Sequence, residues 1–201
     1  MSTAVDLDWD AWRAGYDEMT FADQQAFYRE VAELYPLQES ANVCMAHDAF
    51  DLIEQEHLTV IELGGWNGRL ASQMLARGDI AIWFNFDLVD VPQAISSAEP
   101  RYNQVVLDDW FWAERRKADV FVAAHTIEHL SAAHLRQLIA CLDVSWVYLE
   151  APLEAGPRDW TGYAGSHILD IGWEGVGGIM LANGYKPVAE NLWERQPSGV
   201  S

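Results

Sequence analysis

Beyond residue 57 the sequence is built on five strand-sized apolar runs separated by helical stretches. LTVIEL (58–63), IAIWFNF (80–86), QVVLD (104–108), DVFVAA (119–124) and SWVYLEAP (145–152) are the runs, and they carry apolar residues toward both faces. GRLASQMLARG (68–78) reads as a helix stopped by Gly78. SAAHLRQLIACL (131–142) is a helix with Ser131 as N-cap, and WEGVGGIMLANG (173–184) is one closed by Asn183-Gly184. Shorter helical turns are expected over 91–99 and 110–117, and YKPVAENLWER (185–195) reads as a last extended segment. Strands buried on both faces and alternating with helices predict an α/β fold: a doubly wound, mostly parallel sheet with helices on both sides.

The first 57 residues differ. They hold 13 acidic and 2 basic residues, and three helical patterns fit them, over 8–18, 21–35 and 43–56. Phe27, Val31, Leu34 and Tyr35 form the stripe of the second, and Val43, Ala46, Phe50 and Ile53 that of the third. No Gly/Ser-rich linker follows. The expected organisation is an acidic helical N-terminal appendage (1–57) packed on a Rossmann-like main domain (58–201).

Charge narrows the partners. Twelve Lys and Arg face 31 Asp and Glu, a formal net charge of −19; there are two lysines, and the one basic run is Arg115-Arg116-Lys117. Such a surface repels phosphate backbones and anionic membranes, so neither nucleic acid nor membrane is an expected partner. The apolar runs fall short of the ~20 residues that span a bilayer. The opening MSTAVDLDWDAW is acidic and lacks an apolar run, so a cytoplasmic protein is expected. Cys44 and Cys141 are far apart and match no CxxC pattern, which predicts two buried, reduced thiols.

In a parallel sheet of this kind ligands bind beyond the carboxyl ends of the strands, where the strand order reverses. The first strand ends in VIELGGWNG (60–68), where Gly64, Gly65 and Gly68 permit a tight turn and close approach of a ligand to the backbone. Trp66 and Arg69 stand where a dinucleotide fingerprint needs its second and third glycines, so NAD is disfavoured. Asp87 ends the second strand, 25 residues after Glu62, the spacing of a ribose-binding acid. Asp108-Asp109 end the third, AAHTIEHL (123–130) the fourth and Glu150-Ala151-Pro152 the fifth.

Taken in order, VIELGGWNG, FNFDLVD, VVLDDW, ADVFVAAHTIEHL, WVYLEAP and HILDIGWEGVGGIMLANGYKPV resemble the class I S-adenosylmethionine-dependent methyltransferases, over Val60 to Lys186, nearly two thirds of the chain. The resemblance implies S-adenosylmethionine as cofactor. It implies that Glu62, Gly64, Gly65 and Gly68 surround the methionine part, that Asp87 holds the ribose hydroxyls, and that Asp108 or Asp109 faces the adenine amino group. Trp66 replaces the usual second glycine and either narrows the pocket or stacks on the ligand. The family's last hairpin is not visible in the sequence.

Methyl transfer to a small-molecule acceptor is the leading expectation, with a hydroxyl favoured. His125, at the end of the fourth strand, is the first candidate for its base and His167 the second; His129 and His134 are expected to be structural. DNA amino-methyltransferases of this fold carry an Asp/Asn-Pro-Pro-aromatic motif where AAHT stands here. The long loop 152–167 offers Arg158, Trp160, Tyr163 and His167 for acceptor contact. A non-catalytic cofactor-binding or interaction module of the same fold is the alternative. HTIEH (125–129) also matches the H-x-x-E-H pattern of zinc peptidases, which needs both histidines on one helix face and a third ligand elsewhere. It directly follows a strand-like run, so no metal is expected.

Overall fold

A computed structural model of the chain describes residues 8–34, 43–92, 95, 98–108, 116–153 and 167–197. In chain order the elements are α1 (Trp9–Gly15), α2 (Phe21–Leu34), α3 (Val43–Phe50), β1 (Leu58–Leu63), α4 (Arg69–Met74), β2 (Ile80–Asp87), β3 (Tyr102–Val106), β4 (Arg116–Lys117), β5 (Val120–Ala124), α5 (Ala132–Cys141), β6 (Leu142–Asp143), β7 (Trp146–Glu150), α6 (Trp173–Ala182), β8 (Tyr185–Pro187) and β9 (Leu192–Arg195).

Seven strands form one sheet in the order β3-β2-β1-β5-β7-β9-β8, and β4 pairs with β6 apart from it. β3, β2, β1, β5 and β7 run parallel, while β9 is antiparallel to both β7 and β8. The order reverses between β1 and β5, so the turns after these two strands open a crevice at the carboxyl edge. Alternation along the strands fills two cores. Ile61, Leu63, Phe121, Ala123, Val147 and Leu149 pack against α5 and α6. Val60, Val120, Val122 and Tyr148 point the other way, with Ala46 and Phe50 of α3 and Leu70 and Met74 of α4.

Helix ends follow local chemistry. Ser131 caps α5 by accepting from His134 N at 3.2 Å. Thr20 and Asp23 cap α2 reciprocally: Asp23 N donates to Thr20 Oγ1, and Thr20 N to Asp23 Oδ2. Gly78 and Gly184 take positive φ at the expected stops. β3 starts two residues earlier than QVVLD suggests and stops at Val106, because Asp87 pairs with Val106 and Leu107 turns inward to be buried. In the 91–99 stretch the described residues 91, 92, 95, 98 and 99 are not helical, and in the 110–117 stretch only Arg116–Lys117 is described and is a short strand. The third N-terminal pattern stops early, at Phe50, though Ile53 is buried as its stripe requires.

Residues 185–195 are not one extended segment but a hairpin. Val188 N and Ala189 N both donate to Leu192 O, reversing the chain at a turn without glycine, and this is why the sequence hides it. Arg195 anchors β9 by donating from Nη2 to Leu142 O at 2.6 Å and to the Tyr185 hydroxyl at 2.9 Å. Pro187 is tolerated because β8 is an edge strand. Cys44 is exposed on the outer side of α3 and Cys141 is half-buried, so burial of both thiols is not observed.

α1 and α2 lie over the carboxyl edge of the sheet. Trp12 is buried and stacks on Phe27 at 3.6 Å between ring centroids. Gln25 Nε2 donates to Leu88 O and Leu107 O, the residues just past β2 and β3, and the Tyr16 hydroxyl lies 3.4 Å from His134 Nδ1 on α5. Within the α2 stripe Val31 is buried and Phe27 half-buried; Tyr35 lies outside the described residues. Trp12→Ala removes the centre of this packing. It is expected to cost about 3–5 kcal/mol, read as a lower urea midpoint in a single transition.

Candidate active site

The crevice begins at Gly64, with φ +71°. Its N–H donates to Phe86 O, and a Cβ there would strike the Thr126 side chain. Thr126 Oγ1 donates to Leu63 O at 2.9 Å and so ties the turn after β5 to the turn after β1. Gly65 donates to Asn85 Oδ1 at 3.0 Å, and a Cβ on it would strike Glu62 and Asn85. At these two glycines the close approach is to the chain's own side chains, not to an open space kept for a ligand. Trp66 takes φ +49°. This left-handed conformation is unfavourable for a residue that carries a side chain. Gly68, φ +73°, opens α4.

Two acids brace this turn. Glu62 is buried beneath it and accepts from Trp83 Nε1 at 2.9 Å; burial pushes its carboxyl up to about 8. Asp87 is buried as well, although a strand-end carboxylate would be expected to stand outside the core. Its Oδ2 accepts from Trp66 N at 2.9 Å and its Oδ1 from Val89 N at 3.4 Å, and burial raises it to about 6 despite these bonds. Asp108 is exposed beyond the end of β3, and Asp109 lies outside the described residues.

The turn after β5 carries a second set. His125, with φ +52°, is held by its N–H on Glu150 O at 2.7 Å. Its ring lies between two carboxylates: Nδ1 is 3.7 Å from Glu128 Oε1, and Nε2 is 3.4 Å from Glu150 Oε1. Glu128 first and Glu150 second push the imidazole up to about 10. Both nitrogens are thus turned to acids, which favours the charged imidazole, an arrangement that suits a positioned donor better than the base its place on β5 suggests. Glu150 also accepts from the Tyr148 hydroxyl at 2.7 Å. Burial raises the carboxyl of Glu128. Glu128 and Glu150 were not singled out from sequence as partners of His125; the i, i+3 spacing of the first was the available signal.

HTIEH does not form a helix. Residues Ile127–His129 make a single 3-10 turn, and His125 and His129 do not share a helix face. His167, the second base candidate, comes to this turn instead, because Ile168 N and Leu169 N both donate to Glu128 O, at 2.7 and 3.0 Å. The rings of His129 and His167 meet edge to face with centroids 4.9 Å apart. Arg158, Trp160 and Tyr163 lie outside the described residues.

A cavity joins these parts. Gly64, Trp66, Asp87, His125 and His129 line it from the strand ends, and Tyr16, Gln24 and Tyr28 close it from the N-terminal helices. His129, expected to be only structural, is on its wall. Glu62, Gly65 and Gly68 are not: they shape the turn from behind.

Glu62 yields a pH test. Its pKa is raised on folding, so its contribution to stability is full below the ordinary carboxylate value of 4.5 and is lost as pH climbs through about 8. Glu62→Gln keeps an acceptor for Trp83 and removes the buried charge. Its denaturation free energy at pH 9 is expected to exceed that of the parent by about 1–3 kcal/mol, with little difference at pH 4.

No protein-family profile and no curated protein matches the sequence. Solved structures do match. CalO1, a methyltransferase in calicheamicin biosynthesis in its S-adenosylhomocysteine-bound form, is 16% identical over 93% of this chain, with TM-score 0.59. The cyclopropane synthase MmaA2 from Mycobacterium tuberculosis is 13% identical over 92%, with TM-score 0.57. Human N-acetylserotonin methyltransferase in complex with S-adenosylmethionine is 15% identical over 98%, with TM-score 0.55. The chain spans 60%, 77% and 61% of these three proteins. With five parallel strands followed by an antiparallel hairpin, this chain has the fold of the class I S-adenosylmethionine-dependent methyltransferases.

Proposed function

We propose that the protein is an S-adenosylmethionine-dependent methyltransferase acting on a small-molecule acceptor, with a hydroxyl favoured. The observation that carries this reading is the cavity itself. It sits at the reversal of strand order, with the Asp87 carboxylate and the Gly64–Trp66 turn on one side and aromatic residues of the N-terminal helices on the other. These groups fit the cofactor. Asp87 would take the ribose hydroxyls, the turn from Gly64 through Trp66 to Gly68 would border the methionine part, and Glu62 and Gly65 would hold that turn in place. Leu88 and Leu107 supply apolar wall, and Asp108 or Asp109 is proposed for the adenine amino group.

When bound, the cofactor supplies a methyl group already activated on a sulfonium. What remains for the protein is to align the acceptor and exclude water. We assign alignment to His125, through the proton it holds, and to the N-terminal helices, and we propose residues 1–57 as a helical cap on the 58–201 domain. His167 is kept as an acceptor-side residue. A non-catalytic module that binds the cofactor is the second reading, favoured by one observation: Trp66 stands in strained backbone where the family has glycine.

S-adenosylhomocysteine should raise the melting temperature and bind by calorimetry, while NAD and ATP should not. Tighter binding of NAD would overturn the reading, and cofactor binding with no turnover across an acceptor panel would favour the second. Because Asp87 braces two backbone N–H groups, its test is Asp87→Asn rather than alanine, so that an acceptor is kept. The expected loss is about 1–3 kcal/mol of cofactor affinity, with a modest fall in the melting temperature of the unliganded protein.

A further inference from the structure

We propose that Glu128, His129 and His167 form a binding site for one divalent transition-metal ion, zinc foremost, beside the cavity. One ligand atom from each lies within 4.8 Å of the others. A tetrahedral zinc with bonds of about 2.0–2.2 Å spaces its ligands about 3.3–3.6 Å apart. Closing the difference takes about an ångström, within reach of a side-chain adjustment at half-buried His167. Two imidazoles and a carboxylate are a nitrogen-rich set that suits zinc and its neighbours and not calcium or magnesium, which seek all-oxygen shells.

A second observation is independent of that clustering. The Glu128 side chain is 2% exposed, and its Oε2 has no hydrogen-bond partner among the described residues. A buried carboxylate oxygen without a partner costs free energy and needs an explanation; a coordinated cation is one. The backbone is already organised for it. Glu128 O accepts from Ile168 N and Leu169 N, which fixes the segment after His167 against the turn that carries the other two ligands. Glu128 Oε1, for its part, faces His125 Nδ1. The site is thus not the one HTIEH suggests by pattern: His125 is engaged by acids, and His167 completes the set. The formal charge of −19 also favours cation capture.

His129 lines the cavity, so an ion here borders the space proposed for the acceptor. Metal binding nevertheless does not depend on the methyltransferase reading. The test uses the full chain, tag removed and stripped with chelator, then dialysed against Zn²⁺ or Co²⁺. One metal per chain by elemental analysis is expected, with a ligand-field absorption band in the Co²⁺ form. His129→Ala and His167→Ala should each weaken Zn²⁺ affinity at least about tenfold in competition with a chromophoric chelator, while exposed His57→Ala should not. Circular dichroism verifies that the variants fold, and His167→Ala, the less buried change, keeps the test decisive if Glu128→Gln does not. No retained metal in the parent, or equal affinity in both histidine variants, overturns the proposal. S-adenosylhomocysteine titrated into the same samples separates the two readings: cofactor binding without metal overturns only this site, and metal without cofactor binding overturns only the methyltransferase reading.

Discussion

Four carboxylates buried along one edge of a parallel sheet set the terms for everything around them. Glu62, Asp87, Glu128 and Glu150 are each less than a tenth exposed. A buried acid is costly unless its oxygens are met by donors or cations. Three of these recruit their own neighbourhood: the Trp83 indole for Glu62, backbone N–H groups of Trp66 and Val89 for Asp87, the Tyr148 hydroxyl and His125 for Glu150. The sharp turns after β1 and β5, with positive φ at Gly64, Trp66, Gly68 and His125, are the shapes the backbone takes to reach those acids. Thr126 then joins the two turns at the strand-order reversal.

Elements whose periodicity is local were legible in the sequence. β1 matches its apolar run residue for residue, β2, β5 and β7 nearly so, and Ser131 caps α5 as its side chain suggests. What escaped was set by contacts distant in sequence. The β8–β9 hairpin reverses at Ala189–Asn191 without a glycine, and β9 is held by Arg195 reaching back to Leu142 O. Asp108 looked like a strand end because VVLD is apolar up to it, yet the pairing with β2 stops at Val106.

The site was legible in its positions more than in its roles. Asp87, Gly64, Trp66 and His125 do meet at one cavity. But a single strand-end histidine does not reveal that two acids, one three residues on and one on the next strand, hold both of its nitrogens. Nor does a run of glycines reveal whether a ligand or the chain's own Thr126 and Glu62 requires them. Those are tertiary facts, and burial decides them.

The charge pattern also bears on ligand choice. Glu128 and Glu150 flank the His125 imidazole and favour its charged form, and Asp87 adds a carboxylate charge above its raised pKa of about 6. Asp87, the acid among the cavity-lining residues, thus gives the edge facing the cavity negative charge above about pH 6, in a setting where low dielectric strengthens charge interactions. A pyrophosphate brought to that edge would meet like charge with no basic side chain among the cavity-lining residues apart from the two histidines. A sulfonium and an α-ammonium would meet opposite charge. The Asp87 carboxylate thus disfavours a pyrophosphate by charge and favours a cationic ligand, beside whatever narrowing Trp66 would impose.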